Sequence, residues 1–246
     1  MKWFWDHYGD AAKQIESFCR PAGSQLADAK IADVGCGDGI MALGFFELVR
    51  PNQLVGFDIN PVSTERLQEM SAAAGVSQSL PPGLEFRVSQ PTSIPAETHE
   101  FDFVYSWSAF EHIADPLGVL KEIRRVLRPG GHFFLQLWPF YHSSSGSHLW
   151  DWFDDDFHHL VRPQDELLAD VNGSQRHSPE WTGYMTKEFE HLNRITLDEL
   201  QRCVLAAGFY VAKLELLTAP AHLTPALARY SWADLGVGGI KLIAVP

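Results

Sequence analysis

Lys30-Ile31-Ala32-Asp33-Val34-Gly35-Cys36-Gly37-Asp38-Gly39 is the stretch that decides the fold. A short apolar run enters three glycines at alternate positions, and a helical pattern follows at Met41, Ala42, Phe45, Phe46 and Val49. Glycine allows a sharp turn at a strand end and a close approach of backbone to a ligand. Strand, Gly-rich turn and helix in that order form the nucleotide-binding corner of open α/β sheets, where ligands sit beyond the carboxyl ends of the strands. The spacing is not that of the dinucleotide fingerprint, Gly-x-Gly-x-x-Gly, which seats a pyrophosphate on a helix N-terminus. Gly35, Gly37 and Gly39 are one residue too tight for it, and Asp33, just ahead of the turn, would repel phosphate. That carboxylate suits a cationic ammonium group instead.

Working outward, Gln53–Asn60 reads as a second strand whose apolar core ends at Asp58, roughly 20 residues past the glycine turn. A βαβ unit places a carboxylate there for the two hydroxyls of a ribose. Pro61 looks like the first residue of the next helix and Asn60 like its N-cap, which leaves Asp58 free. That helix, Val62–Ala74, ends at Gly75, and Pro81-Pro82-Gly83 leads into strand Leu84–Val88. Phe101–Ser106 is a fourth strand, followed by Trp107-Ser108-Ala109-Phe110-Glu111-His112. Asp115-Pro116 opens a helix with its apolar stripe at Leu117, Leu120, Ile123 and Leu127. Arg128-Pro129-Gly130-Gly131 then turns into strand His132–Leu137. Near the end, Thr196–Ala207 reads as a helix and Tyr210–Leu217 and Gly239–Val245 as strands.

The glycine stretch resembles motif I of the class I S-adenosylmethionine-dependent methyltransferases. Phe101-Asp102-Phe103-Val104 and Leu127-Arg128-Pro129-Gly130-Gly131 are similar to two further segments of that family, so the resemblance covers most of residues 30–140. It implies an α/β fold: a doubly wound, mostly parallel, seven-stranded Rossmann-like sheet with helices on both faces and a lid inserted after strand five. Residues 1–246 would form a single domain, with an N-terminal cap (1–29), a cofactor-binding core (30–137), a substrate lid (138–194) and a C-terminal helix and strand pair (195–246). The segment Pro21–Ala29 reads as a linker into the first strand. The implied cofactor is S-adenosyl-L-methionine, leaving as S-adenosyl-L-homocysteine. Asp33, Gly35, Gly37 and Gly39 would cradle its methionine end, with Cys36 a small residue inside that turn. Asp58 would hold the ribose, with Ile59 against the adenine and Asn60 beside it. At the end of strand three the family carries an Asp for the adenine amino group. Here Ser89-Gln90-Pro91 stands in its place, and the Gln90 amide oxygen can accept the same hydrogen bond. Ser106, at the end of strand four, would face the transferred methyl.

Trp138–Arg194 is too long for a simple connection and reads as a lid. Its first part alternates aromatics, histidines and aspartates: His142, His148, Trp150, Asp154-Asp155-Asp156, His158-His159. Asp154–Asp156 also fit the outer face of an amphipathic surface helix. Methyl transfer is an in-line displacement, in which the protein aligns the nucleophile and removes its proton. An alcohol acceptor needs a base or a metal, and histidine is the base best matched to neutral pH. The candidates are His112 after strand four and His142 or His148 after strand five, with Glu111 orienting a histidine or bonding the substrate. The His/Asp alternation over His148–His159 is compatible with a divalent ion but matches no strict ligand spacing, so no metal ligand is assigned.

The chain has 246 residues, 19 Lys and Arg against 31 Asp and Glu, and a net charge of -12 without a basic stripe, which speaks against nucleic-acid binding. Its three cysteines, Cys19, Cys36 and Cys203, show neither CxxC nor zinc spacing, as expected of a reduced cytoplasm. Charge follows Met1–Trp5, so no secretory leader is expected, and no apolar segment is long enough to span a bilayer. The expectation is a cytoplasmic enzyme that methylates a small molecule at a hydroxyl oxygen, on a glycoside or an aromatic secondary metabolite. It has no nucleic-acid or membrane partner, and a homodimer is compatible with it. Methylation at nitrogen or carbon is the alternative. A nicotinamide-dependent oxidoreductase on a similar sheet and a non-catalytic cofactor-binding protein are the further ones.

Overall fold

The computed structural model describes residues 1–20, 23, 24 and 26–246, so Pro21, Ala22 and Gln25 of the expected linker lie outside the described residues. The chain opens with α1 (Lys2–Trp5), a π-helical stretch (Asp6–Ala11) and α2 (Ala12–Cys19). The alternating core follows: β1 (Lys30–Val34), α3 (Ile40–Val49), β2 (Gln53–Asp58), α4 (Thr64–Ala73), β3 (Leu84–Val88), β4 (Phe101–Trp107), α5 (Pro116–Val126) and β5 (Leu127–Leu137). Three helices then form the inserted segment: α6 (His158–Val161), α7 (Gln164–Gly173) and α8 (Pro179–His191). The chain closes with α9 (Leu197–Ala206), β6 (Tyr210–Thr218), α10 (Trp232–Gly236) and β7 (Val237–Val245).

The seven strands lie in the order β3-β2-β1-β4-β5-β7-β6. The first five are mutually parallel, and β7 runs antiparallel between β5 and β6. Strand order reverses between β1 and β4, so the loops leaving these two strands part there and open a crevice. Asp33 pairs in register with Tyr105 across this switch point. The expected seven-stranded, mostly parallel sheet with helices on both faces is the one observed.

Each face of the sheet is covered for a reason visible in the chain. On one face α5 and α9 bury Leu120, Ile123, Leu200 and Val204 against β4, β5 and β7. Asp115 caps α5 by accepting from the Gly118 N–H at 2.8 Å with Pro116 behind it, and Thr196 and Glu199 close a reciprocal capping box on α9. On the other face α3 is enclosed over most of its surface between the sheet and the N-terminal helices, leaving Glu47 and Leu48 exposed, with Ile15, Phe18, Met41 and Phe45 buried together. Gly44 permits this sandwich: a Cβ there would stand 1.9 Å from the Tyr8 carbonyl oxygen. A third core, including Tyr141, Leu149, Trp152, Leu167, Met185 and Phe189, belongs to the inserted segment. It also takes in Leu227 and Leu235 from the β6–β7 connection, and Arg229 donates to the Leu160 carbonyl at 3.0 Å.

Three local expectations are corrected. Asn60 is not the cap of α4; Ser63 is, its hydroxyl accepting from the Arg66 N–H at 3.3 Å, so the helix starts at Thr64 instead of Val62. Strand β5 begins at Leu127, because Leu127 already pairs with Phe101 before the glycine turn bulges out and pairing resumes at His132. Asp154–Asp156 are exposed as expected but lie in a turn, which ends where Phe157 takes a left-handed φ of 60°. Among the described residues no helix is long and apolar enough to cross a membrane.

Candidate active site

The glycine turn forms one wall of the crevice. Gly35, Gly37 and Gly39 all have positive φ (81°, 56° and 81°), which side chains with a Cβ rarely adopt. They do different work. A Cβ on Gly35 would stand 2.5 Å from the Ala109 Cβ, and one on Gly39 2.8 Å from the Phe86 ring, so these two let β4 and β3 close in. Gly37 has nothing within 4 Å of that position and faces open space. The turn is locked onto β2, for the Gly35 and Cys36 N–H groups both donate to the Phe57 carbonyl, at 2.8 and 3.1 Å.

Asp58 ends β2 beneath this turn. Its Oδ2 accepts from the Gly37 N–H at 3.0 Å and its Oδ1 from the Asn60 N–H at 2.9 Å, and each oxygen keeps a second lone pair. Beyond it Ile59 is 59 % exposed, an apolar side chain standing free at the crevice edge. Gln90 and Pro91 are exposed at the end of β3, where Gln90 bridges to Ser93. The Cys36 thiol is buried against Gly56, and burial, with smaller contributions from Asp33, Asp58 and Asp38, raises its pKa well above the usual thiol value. Ser106 is fully buried, and its hydroxyl donates to the Val34 carbonyl at 2.7 Å, tying β4 to β1. From the other side, the Trp3 indole N–H donates to Asp38 at 3.0 Å, so α1 does reach the glycine turn.

Asp33 lies under the turn with no exposed surface, and neither carboxylate oxygen has a hydrogen-bond partner. Burial pushes its pKa up to about 8, with smaller contributions from Asp58 and Asp38. Tyr105 opposes the shift as its nearest polar neighbour, yet by strict geometry the Tyr105 hydroxyl is unpartnered as well. A buried carboxyl without a partner is costly, and a cationic group brought to it would recover the loss.

A second cluster stands at the far wall, just past β4. One nitrogen or oxygen from each of Glu111, His112 and His148 lies within 4.8 Å of the other two. Glu111 and His112 sit on a single 3-10 turn, Phe110–His112, and His148 reaches in with a left-handed φ of 61°. The His112 and His148 rings meet edge to face at 5.3 Å. Burial drives His112 down to about 4 and His148 down to about 3, so both imidazoles are neutral, while burial raises Glu111 to about 8. Helix α8 closes the cluster from above: Glu188 Oε2 is 3.3 Å from His112 Nε2. Beside it Trp150 packs against His148 at 5.6 Å and Trp138 at 5.8 Å, and both indoles are partly exposed.

The cluster is held from behind by Asn193. Its amide donates to the Phe110 and Ile113 carbonyls at 2.6 and 2.7 Å, and its own N–H donates to the Glu111 carbonyl at 2.8 Å. Ser108, at a φ of 46°, is fixed by its hydroxyl and N–H on the Gln136 side chain at 2.8 and 3.0 Å.

The structure therefore gathers Glu111, His112 and His148 but not His142. The His142 ring packs against Tyr141 and Tyr230 at 5.4 and 5.7 Å, toward the β6–β7 connection. Nor does the His/Asp alternation assemble. His158 bonds Ser147 and the Asp155 carbonyl, and His159 bonds the Tyr141 carbonyl, all within the inserted segment. Sequence reasoning missed Glu188 and Asn193. Tyr184, Glu188 and His191 fall on one helical face of α8, a visible periodicity, but nothing in the chain says that this face turns to the crevice. Asn193 had no signal at all.

Comparison with known proteins agrees with this geometry. The family model described as "Methyltransferase domain" matches residues 7–214. Chloroplastic tocopherol O-methyltransferase from Arabidopsis thaliana is 32% identical over 117 residues, 48% of this chain and 32% of that protein. Cycloartenol-C-24-methyltransferase 1 from Oryza sativa subsp. japonica is 30% identical over 139 residues, 56% of this chain and 38% of that protein. The aligned region thus spans well under half the length of these curated relatives. Among solved structures, an S-adenosylmethionine-dependent methyltransferase from Methanosarcina mazei superposes with a TM-score of 0.58 at 18% identity, covering 92% of this chain and 96% of that one, which speaks for the fold alone. Fold, crevice and family match agree, and the chain belongs to the class I S-adenosylmethionine-dependent methyltransferases.

Proposed function

We propose that the protein transfers a methyl group from S-adenosylmethionine to a hydroxyl oxygen of a small aromatic or glycosidic molecule. The observation that carries this reading is the group of buried imidazoles and carboxyls immediately beyond β4, facing the crevice of the switch point. When bound, the cofactor supplies an electrophilic methyl carbon on a sulfonium. The residues present fit it. The unpartnered Asp33 carboxyl suits an ammonium, reached directly or through one water, and the open space at Gly37 admits the amino acid chain. Asp58 offers its free lone pairs to the ribose diol, Ile59 lies against the adenine, and Gln90 accepts from its amino group. Cys36 and Ser106 contribute by position: the first fills the turn and the second fixes β4 against β1.

The acceptor hydroxyl lies against the His112 and His148 ring nitrogens, on the flat rim made by Trp138 and Trp150. As the oxygen–carbon bond forms and the carbon–sulfur bond breaks, the hydroxyl proton passes to a neutral imidazole. Glu188 takes up the positive charge left on His112. Residues 138–194 serve as the lid that excludes water from this transfer.

The test is a panel of phenols, sugars and amines with methyl-labelled cofactor. Phenol or sugar methylation that falls at least tenfold in His112→Ala or His148→Ala, with S-adenosylhomocysteine affinity kept, is expected; His142→Ala should stay within about threefold of the parent. Methylation of amines alone, indifferent to both histidines, would overturn the oxygen assignment. Carbon methylation is the second reading, supported by the match to a protein named as a C-24-methyltransferase through the same region.

A further inference from the structure

We propose that Glu111, His112 and His148, joined by Glu188, form a binding site for one divalent first-row transition metal ion beside the cofactor crevice. This differs from an ion held by the His148–His159 alternation, whose other members are committed elsewhere. The ion's use in orienting the acceptor rests on the function proposed above; its binding does not.

Four observations converge. Ligand atoms of Glu111, His112 and His148 lie within 4.8 Å of one another, and opposite ligands of one ion stand about 4 Å apart, so small side-chain rotations close the set. Glu188 Oε2 stands 3.3 Å from His112 Nε2, the separation of adjacent ligands on bonds of about 2.1 Å. Glu111 is only 4% exposed, yet its Oε2 has no partner, and His148 Nε2 has none either. Two buried, unpartnered polar atoms on members of one cluster are rare in folded proteins and call for an explanation such as a bound group. Finally, Asn193 holds the main chain of the turn bearing Glu111 and His112 on both sides, which fixes where the two side chains start.

The donor set chooses the ion. Two imidazoles with one or two carboxylates favour zinc, manganese, iron or cobalt over magnesium or calcium, which take oxygen alone. Glu111 and His112 come from the turn after β4 and His148 from the segment after β5, while Glu188 of α8 approaches from the His112 side. With the ion bound, His112 and His148 are its ligands and no longer the base; a hydroxyl entering a coordination position they do not occupy would be held at the ion and made more acidic, so that its proton passes to water.

Full-length protein is treated with chelator, dialysed, and titrated calorimetrically with Zn²⁺, Mn²⁺, Co²⁺ and Mg²⁺; bound metal is counted by elemental analysis, and the Co²⁺ visible spectrum reports the ligands. One equivalent of a transition ion with micromolar or tighter affinity is expected. His112→Ala and His148→Ala should each weaken it at least 100-fold, and the half-exposed Glu188→Gln roughly tenfold. His142→Ala should bind like the parent. Circular dichroism and S-adenosylhomocysteine binding certify that each variant is folded. Absence of stoichiometric transition-metal binding overturns the site, as does binding that survives both histidine substitutions together. Binding of Mg²⁺ in preference to Zn²⁺ overturns the nitrogen ligands. An ion bound at this site in a protein that methylates nothing would sink the proposed function and leave the site standing; methyl transfer without ion binding would do the reverse.

Discussion

If Asp33 meets the cofactor's ammonium, cofactor binding must expel a proton, and its affinity must climb with pH. In the free protein the carboxyl is neutral up to about pH 8, because burial disfavours its charge. The ligand's ammonium selects the ionised form. Apparent affinity then scales with the ionised fraction, which is about one-half at pH 8 and about one-hundredth at pH 6, a change of roughly 50-fold or about 2 kcal/mol. The ligand's own ammonium stays protonated over this window. S-adenosylhomocysteine, which keeps the ammonium and loses the sulfonium charge, isolates the effect. Calorimetric titration at half-unit steps from pH 6 to pH 8, in buffers of different ionisation heat, gives both affinity and protons released. The parent should release close to one proton at pH 6. Asp33→Asn should bind more weakly at pH 8 and show a flat profile. A flat parent profile, or a slope that persists in Asp33→Asn, would refute the pairing of this carboxylate with a cation.

The same proton sets the stability of the free protein. The native state keeps a proton that the unfolded chain releases near pH 4, so stability is full below that and falls by about 1.4 kcal/mol per pH unit as pH rises toward 8. Urea unfolding at pH 5 and pH 7 should show a smaller drop for Asp33→Asn than for the parent. Gly44→Ala drives a methyl into the Tyr8 carbonyl and should cost about 1–3 kcal/mol, with loss of the N-terminal helices' protection in hydrogen exchange. Asn193→Ala removes the side-chain donor to the Phe110 and Ile113 carbonyls, of which Phe110 keeps the Ile113 N–H at 3.4 Å, at a cost of about 1–3 kcal/mol. At temperatures where it remains folded, it should lower kcat more than it raises KM, because the turn bearing His112 loses its support.

The sheet was legible because its signals are local. Apolar runs ending in Asp33 and Asp58, the alternating glycines and the Arg128–Gly131 turn each act over a few residues, and their order alone implies the crossover at β1 and β4. The Asn60 cap failed for a local reason too: Ser63 sits nearer the helix and offers a better acceptor, and Asn60 turns back on Asp58. The cluster was half legible. Glu111 and His112 leave a strand that must end at the crevice, so their place follows from topology. His148 and His142 leave the same strand only six residues apart, yet one enters the cluster and the other faces Tyr230. What separates them is the packing of the third core, which depends on residues as distant as Leu227 and Leu235. Glu188 and Asn193 reach the site only through that tertiary arrangement.

The sharing of that third core has a mechanical corollary. The inserted helices are fastened at both ends to the sheet and again, by Leu227, Leu235 and Arg229, to the connection before β7. A flap hinged at one edge can swing clear, but a canopy moored at a remote third point cannot. A large swing of the inserted helices therefore has to break the Arg229–Leu160 hydrogen bond and part Leu227 and Leu235 from that core.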